Sequence, residues 1–282
     1  MHILTFDIEE WFHLLDVDGI NSESKWLNYE SRIHQNVDRI LNLLQELNIN
    51  ATFFIVGWIA EKHPDVIRRI DELGYEIGSH SHNHQLVYQQ NQYEFSQDLR
   101  RSLDVIQNII GKKISSYRAP GFSITEDTKW ALDALNENGI IYDCSIFPAQ
   151  RAHGGVPSYI GVGPSILRHN GITIREFPIN FTNVFKNKII FSGGGYFRLL
   201  PYSLIRLWTK KSDYVMSYFH PRDFDKEQPI IKELSPFRKF KSYVGLSGCM
   251  NKLHHWLNDF HFTDLRTAAS EFDWDTANVI DL

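Results

Sequence analysis

The sequence predicts an α/β fold, a distorted or incomplete (β/α) barrel, on three observations. Short apolar, β-branched or aromatic runs alternate with longer stretches of helical period. The alternation recurs about seven times at this length, which suits a relative of the (β/α)8 barrel. Groups able to do chemistry recur where the apolar runs end, the edge at which barrel enzymes place their sites. An open doubly wound sheet is the alternative, since periodicity alone does not separate the two.

Strand candidates are 3–8, 51–56, 76–79, 116–118, 140–143, 173–177 and 214–219. Between the first two lies a helix over about 37–47, with Val37, Ile40, Leu41, Leu44 and Leu47 on one stripe. His63-Pro64-Asp65 opens a second helix carried by Val66, Ile67 and Ile70, and Gly74 marks its stop. A third runs from about Tyr93 to Ile110, with Phe95, Leu99, Leu103, Ile106 and Ile110 facing inward. Trp130, Leu132 and Leu135 mark a fourth, closed by Asn138-Gly139. Residues 148–165 are rich in Gly and Pro and read as a long loop, and 225–240 is charged and reads as a surface excursion. No linker divides the chain, so one domain over 1–282 is expected, with about 225–282 as a C-terminal extension packed on it.

Hydrophobic residues make up 43 % of the 282 and charged residues 22 %, which is material for a sizeable core. A net charge of −5 gives no general attraction to nucleic acid, and no nucleic-acid partner is expected. Cys144 and Cys249 are far apart and not in a metal-ligand spacing, so two reduced thiols are expected. No apolar run reaches the roughly 18 residues of a membrane span. Met1 leads into the first strand candidate without a leader-like stretch, so a cytoplasmic location is the expectation.

Four constellations carry chemistry. The first is Thr5-Phe6-Asp7-Ile8-Glu9-Glu10. If strand geometry continues, Asp7 and Glu9 point to one side and Glu10 to the other, because side-chain direction repeats every two residues. One carboxylate can then take a proton while the other holds a metal. The second is His80-Ser81-His82-Asn83-His84, three histidines in five residues of a chain with 13. Imidazole is the commonest neutral ligand for zinc-like ions, and one helical turn would bring His80 and His84 side by side, with His82 facing elsewhere. The third is Arg118-Ala119-Pro120-Gly121, an arginine that can pair with a carboxylate, followed by a turn whose Gly121 amide can face an oxyanion. The fourth is Phe219-His220-Pro221, a histidine held extended by the following proline and a candidate general acid. Each has a bland reading as well: a solvated acidic loop, an exposed histidine cluster, an ordinary turn, a structural histidine.

Taken in order, the four pieces resemble the motifs of the polysaccharide deacetylase family (NodB homology, carbohydrate esterase family four), over about residues 3–222. Asp7-Ile8-Glu9, 142–148, 192–198 and 218–221 further resemble the subgroup associated with bacterial exopolysaccharide loci. The resemblance implies a metal-dependent hydrolase that removes the N-acetyl group of an amino sugar in a glycan or glycan precursor. It implies one divalent ion, Zn²⁺, held by Glu9, His80 and His84, with Asp7 as general base and Arg118 orienting it. The Gly121 amide would help to hold the oxyanion, and His220 would protonate the leaving amine. Two departures stand out. Ile8 occupies the place of the family's usual second Asp, so Glu9 is the replacement ligand and Glu10 its competitor. The usual Asp-x-x-Asp-Trp segment is not recognisable, which leaves Asp143, Glu176 or another carboxylate to tune His220. Deformylation or cyclic-amide opening by the same groups is a second reading, and a catalytically silent sugar-binding protein a third. Ser192-Gly193-Gly194-Gly195 lacks a following Gly-Lys-Ser/Thr and is no phosphate loop. It reads as a lid, a close backbone approach to substrate or an ordinary turn.

Overall fold

The computed structural model describes residues 1–15, 22–149, 154–184 and 187–282. Its centre is an eight-stranded sheet built from β1 (Thr5–Ile8), β2 (Thr52–Ile55), β3 (Glu76–Ser79), β4 (Ser116–Tyr117), β5 (Tyr142–Asp143), β6 (Ser165–His169), β7 (Ile172–Glu176) and β8 (Asn278–Asp281). The spatial order is β8-β6-β7-β5-β4-β3-β2-β1. Every neighbouring pair is parallel except the β6–β7 hairpin. Beyond β1 the ring continues through the segment at 215–219. His2–Ile3 pairs with Val215–Met216 in parallel, and Phe6 bridges Phe219. Gly193 in turn bridges Tyr218. No ladder closes the circle among the described residues. Instead the Asn180 side chain accepts from the Met216 amide (2.9 Å) and from Ser192 Oγ (3.0 Å), across the gap between β7 and the 215–219 segment. The architecture is the distorted, incomplete barrel that the alternation predicts.

The crossover helices form where the apolar stripes place them. Helix Ile33–Leu47 buries Val37, Ile40, Leu41 and Leu44, and Leu47 packs at the margin of the core. Helix Pro64–Glu72 opens on a proline at a position whose N–H has no helical partner to lose, and buries Val66, Ile67 and Ile70. Helix Gln92–Ile110 starts at an Asn91/Glu94 capping box and ends at left-handed Gly111. Helix Trp130–Glu137 packs on β7, burying Leu132 and Leu135. The strands beneath are almost wholly buried, as a parallel sheet clad by helices requires.

The expectations for the second half need correction. The described residues of 148–165 carry no helix or strand until Ser165 begins β6, and residues 150–153 lie outside the described residues. The charged stretch 225–240 is not wholly a surface excursion. Asp225 is fully buried, pairs with Arg32 (Nε to Oδ2, 2.5 Å) and accepts from Asn36 (3.1 Å), while helix Pro236–Tyr243 begins within the stretch. Beyond it, helix Leu246–Asp259 inserts Cys249, Leu253 and Trp256 into the main core, and β8 extends the sheet. Trp256 packs on Phe197 and Phe219, so this helix backs the segment that carries His220. Cys144 and Cys249 are both free and buried.

Candidate functional site

The ends of β1, β3 and β4 and the segment after Phe219 converge on one cavity of about 610 Å³. Asp7, Glu9, His80, His84, Gly121 and His220 all line it. Ligand atoms of Glu9, His80 and His84 lie within 4.8 Å of one another, and all three side chains are buried. His84 Nε2 is 2.5 Å from Glu9 Oε2. The Nδ1–H of His80 donates to the Arg118 carbonyl (2.8 Å), which fixes the ring and leaves the Nε2 lone pair for a cation. Burial pulls His80 down to about 4, against the pull of Asp7, so its imidazole is neutral as a ligand must be. Glu9 stays ionised: burial alone would raise its pKa, but His84 and His220 lower it well below the usual carboxylate range. Three buried donors, one carboxylate and two imidazoles, gathered within 4.8 Å suit a divalent ion.

The route by which His80 and His84 meet differs from the expected helical turn. The segment after β3 is irregular, with Ser81 at φ 64° and His84 at φ 50°, and the His84 amide is held by Ser81 Oγ (3.0 Å). The left-handed residues fold the loop back, so proximity comes from backbone reversal rather than from helical pitch. His82 faces away, as expected, toward Glu61 (3.4 Å). Glu10 also points away from the cavity. Its carboxylate accepts from Ser31 Oγ and from the Arg32 (2.9 Å) and Ile33 (3.1 Å) amides, capping helix Ile33–Leu47. Glu9, not Glu10, is therefore the carboxylate that stands beside His80 and His84.

Arg118 is completely buried. Its Nη1 donates to Asp7 Oδ1 (2.7 Å) and Thr5 Oγ1 (2.7 Å), while the guanidinium lies over the Phe54 ring, 4.3 Å from its centroid. The other Asp7 oxygen is left toward the cavity, 3.9 Å from His220 Nε2. Gly121 sits in the turn Pro120–Phe122 at φ 62°, a left-handed conformation that a side chain would strain. His220 Nε2 is 3.6 Å from Glu9 Oε1. Its Nδ1 faces Asp223 Oδ2 at 3.1 Å.

Asp223 is thus the carboxylate within hydrogen-bond distance of His220 Nδ1, a place that neither Asp143 nor Glu176 takes. Asp143 and Glu176 stand opposite each other on β5 and β7. Asp143 is bonded by the Ser145 hydroxyl and Glu176 by the Ile146 amide. Burial pushes Asp143 up to about 6, and burial together with Asp143 raises Glu176 well above its ordinary value, so the pair retains a proton in the core. Asp223 behaves oppositely. Burial would raise it, but Arg198 (Nε to Oδ1, 3.0 Å) and His220 hold it down to about 2. Burial opposes charge on His220 too, yet Glu9, Asp223 and Asp7 raise it to about 9. The sequence signal for Asp223 was present: proline after His220 and an acid three residues on form a capping box around the turn Pro221–Phe224. His13 was also missed. It is buried beside His84 (ring centroids 5.7 Å) and packed on Trp26 (4.2 Å).

The glycine stretch approaches another backbone rather than acting as a free lid. A Cβ at Gly193 would fall 1.9 Å from the Tyr218 carbonyl oxygen, so only glycine allows that strand contact. Gly194 and Gly195 then line the cavity.

Comparison with known proteins finds likenesses for both halves of the chain. Residues 19–140 match the model of the polysaccharide deacetylase family, and residues 144–270 match a domain of unknown function, DUF3473. The His80–His84 loop and Arg118 fall in the first region and His220 in the second, while Asp7 and Glu9 precede both. A peptidoglycan-N-acetylglucosamine deacetylase of Bacillus cereus is 31 % identical over 96 residues, 34 % of this chain and 35 % of that protein. A peptidoglycan deacetylase of Helicobacter pylori is 26 % identical over 129 residues, 46 % of this chain and 42 % of its own. The chain therefore spans less than half the length of these relatives. A solved structure from Mycobacterium smegmatis, described as a candidate polysaccharide deacetylase, shares the fold at a TM-score of 0.61 and 18 % identity, covering 95 % of this chain and 88 % of that one. A peptidoglycan N-acetylglucosamine deacetylase structure gives 0.52 at 15 % identity, covering 99 % and 90 %. A Bacillus anthracis pseudoenzyme of carbohydrate esterase family 4 gives 0.50 at 11 %, covering 95 % and 64 %. The match over residues 19–140 and the curated relatives show a likeness to the polysaccharide deacetylase family, and the solved structures show the same fold.

Proposed function

We propose that the chain is a metal-dependent carbohydrate N-deacetylase acting on an acetamido sugar. The observation that carries the reading is the junction of two sets of groups in one cavity: Glu9, His80 and His84 as a ligand cluster, and Asp7 and His220 as a facing acid–base pair. A divalent ion held by that cluster lowers the pKa of water and polarises an acyl oxygen. Asp7 is the base. Arg118 fixes one of its oxygens and stabilises its charge, leaving the other to take the proton of the attacking water. The Gly121 amide is the donor offered to the developing oxyanion. His220, charged at neutral pH through its carboxylate neighbours, gives its proton to the departing amine, without which an amide's nitrogen is a poor leaving group.

A cavity of about 610 Å³ suits a sugar that is part of a glycan or a glycan precursor. The likeness of Asp7-Ile8-Glu9 and 218–221 to the exopolysaccharide-locus subgroup supports a substrate in bacterial surface-polysaccharide synthesis. No described helix is long and apolar enough to cross a membrane. The test is metal analysis of purified protein joined to acetate release from a panel of N-acetyl sugars, with and without chelator. Metal-dependent acetate release supports the proposal. Release of formate, or opening of a cyclic imide, with N-acetyl sugars ignored would transfer the site to the deformylase reading. Glycan binding without bound metal would favour a silent module.

A further inference from the structure

The cavity contains a buried charge that the proposed chemistry does not use. Arg222 lines it, two residues beyond His220, and is 6 % exposed. Its Nη2 is buried without a hydrogen-bond partner, and among the described residues its guanidinium has no ion-pair partner. Its contact is the Tyr243 ring, 5.9 Å from centroid to Cζ. The nearby carboxylates are engaged elsewhere: Asp223 with Arg198 and His220, Glu9 with His84. Burial and the neighbouring Arg198 pull Arg222 below its ordinary value, against the opposing fields of Asp223, Tyr243 and Glu9. A buried, unpaired guanidinium is costly to keep, and an anionic ligand would supply the missing charge through charge-assisted hydrogen bonds. Lys241, on the facing wall formed by helix Pro236–Tyr243, lines the same cavity and is exposed.

We infer that Arg222, assisted by Lys241, is an anion subsite, and that the substrate carries an oxyanion beside its acetamido group. The inference rests on the N-deacetylase reading and narrows it to acidic sugars. A planar guanidinium matches either a carboxylate or a phosphate through paired N–H donors. The carboxylate would come from an acidic sugar and the phosphate from a sugar phosphate.

The experiment compares N-acetylglucosamine, its 1-phosphate and its 6-carboxylate as substrates of the metal-loaded enzyme, and as ligands by calorimetry. Wild type should favour at least one charged sugar by tenfold or more in kcat/KM. Arg222→Gln should cut that charged-to-neutral ratio at least tenfold, mostly through KM, and Arg222→Lys should restore part of it. Preference for the phosphate or for the carboxylate supports the subsite and identifies the source. Equal kcat/KM for charged and neutral sugars in wild type overturns the inference, as does a ratio unmoved by Arg222→Gln. If no sugar is deacetylated, the deacetylase reading fails, while tighter calorimetric binding of a charged sugar to wild type than to Arg222→Gln still upholds the subsite. Should Arg222→Gln not fold, the same comparison is made with Arg222→Lys, whose shorter, single-headed cation must weaken the charged sugar selectively.

Discussion

Replacing Asp223 by asparagine tests how His220 is held as an acid. In the native site His220 rises from 6.5 to about 9 against the cost of burial, lifted by Glu9, Asp223 and Asp7 in that order. A cation on Glu9 cancels much of that carboxylate's field, so Asp223, bonded to Nδ1 at 3.1 Å, becomes the main support. Taking its share as about one pH unit, or about 1.4 kcal/mol, the alkaline limb of the kcat/KM profile should move about one unit lower in Asp223→Asn. The direction follows from the acid role: rate is lost as His220 deprotonates, and a weaker hold on the proton brings that loss to lower pH. Above both limbs the rate should fall about tenfold from protonation alone, and more if the ring also turns. Arg198 keeps three backbone carbonyls, those of Lys241, Ser242 and Val244, so the variant should fold. The assay is a pH–rate profile from pH 6 to 10 with metal content measured in parallel. An alkaline limb superposed on wild type, at equal metal content, would refute the reasoning and reduce Asp223 to a turn cap.

Three further outcomes are expected. His80→Ala and His84→Ala should each weaken metal binding about 100-fold or more, read by elemental analysis after dialysis, whereas metal at the wild-type level would break the proposed ligand set. Asp7→Asn should keep its metal and lose at least about 100-fold in turnover, and full activity would remove Asp7 as the base. Asp143 and Glu176 have folded pKa values above their unfolded ones, so the native state binds the extra protons, and their contribution is retained at low pH and lost as pH rises through about 6 and beyond. Glu176→Gln should therefore shrink the loss of stability between pH 5 and pH 8 by about 1–2 kcal/mol, read from urea melts, and an unchanged slope would show that the pair shares no proton.

The parts of the molecule visible in sequence are those where one local rule decides. Val37, Ile40, Leu41 and Leu44 could only form a helix with one buried face, and Asp7 and Glu9 share a side because alternation carries them there. Where two rules compete, sequence reading chose wrongly or not at all. His80 and His84 were legible as a pair but not as a loop, because positive φ at Ser81 and His84 depends on surroundings such as the Ser81 hydroxyl that holds the turn. The β6–β7 hairpin was missed although Asn170-Gly171 stands at its tip, since a Gly/Pro-rich approach obscured the strand before it. Strand β8 was invisible for another reason: Asn278, Val279 and Asp281 are exposed, and only Ile280 gives it an inward face. Asp223 and Arg222 show the same division most sharply. Catalytic groups in barrels gather at strand ends, so the sequence points to Asp143 or Glu176 as the carboxylate partner of His220. The chain instead uses the turn that Pro221 enforces, which delivers Asp223 to Nδ1 three residues later and Arg222 to the cavity between them. A proline that fixes one histidine's backbone thereby also fixes the proton it carries and the charge next to it. These three properties should change together in Pro221→Ala, a variant that removes no charge or metal ligand. A Pro221→Ala enzyme with an unmoved alkaline limb and an unmoved preference among charged sugars would show that packing on Trp256 and Tyr243, not the turn, sets the site.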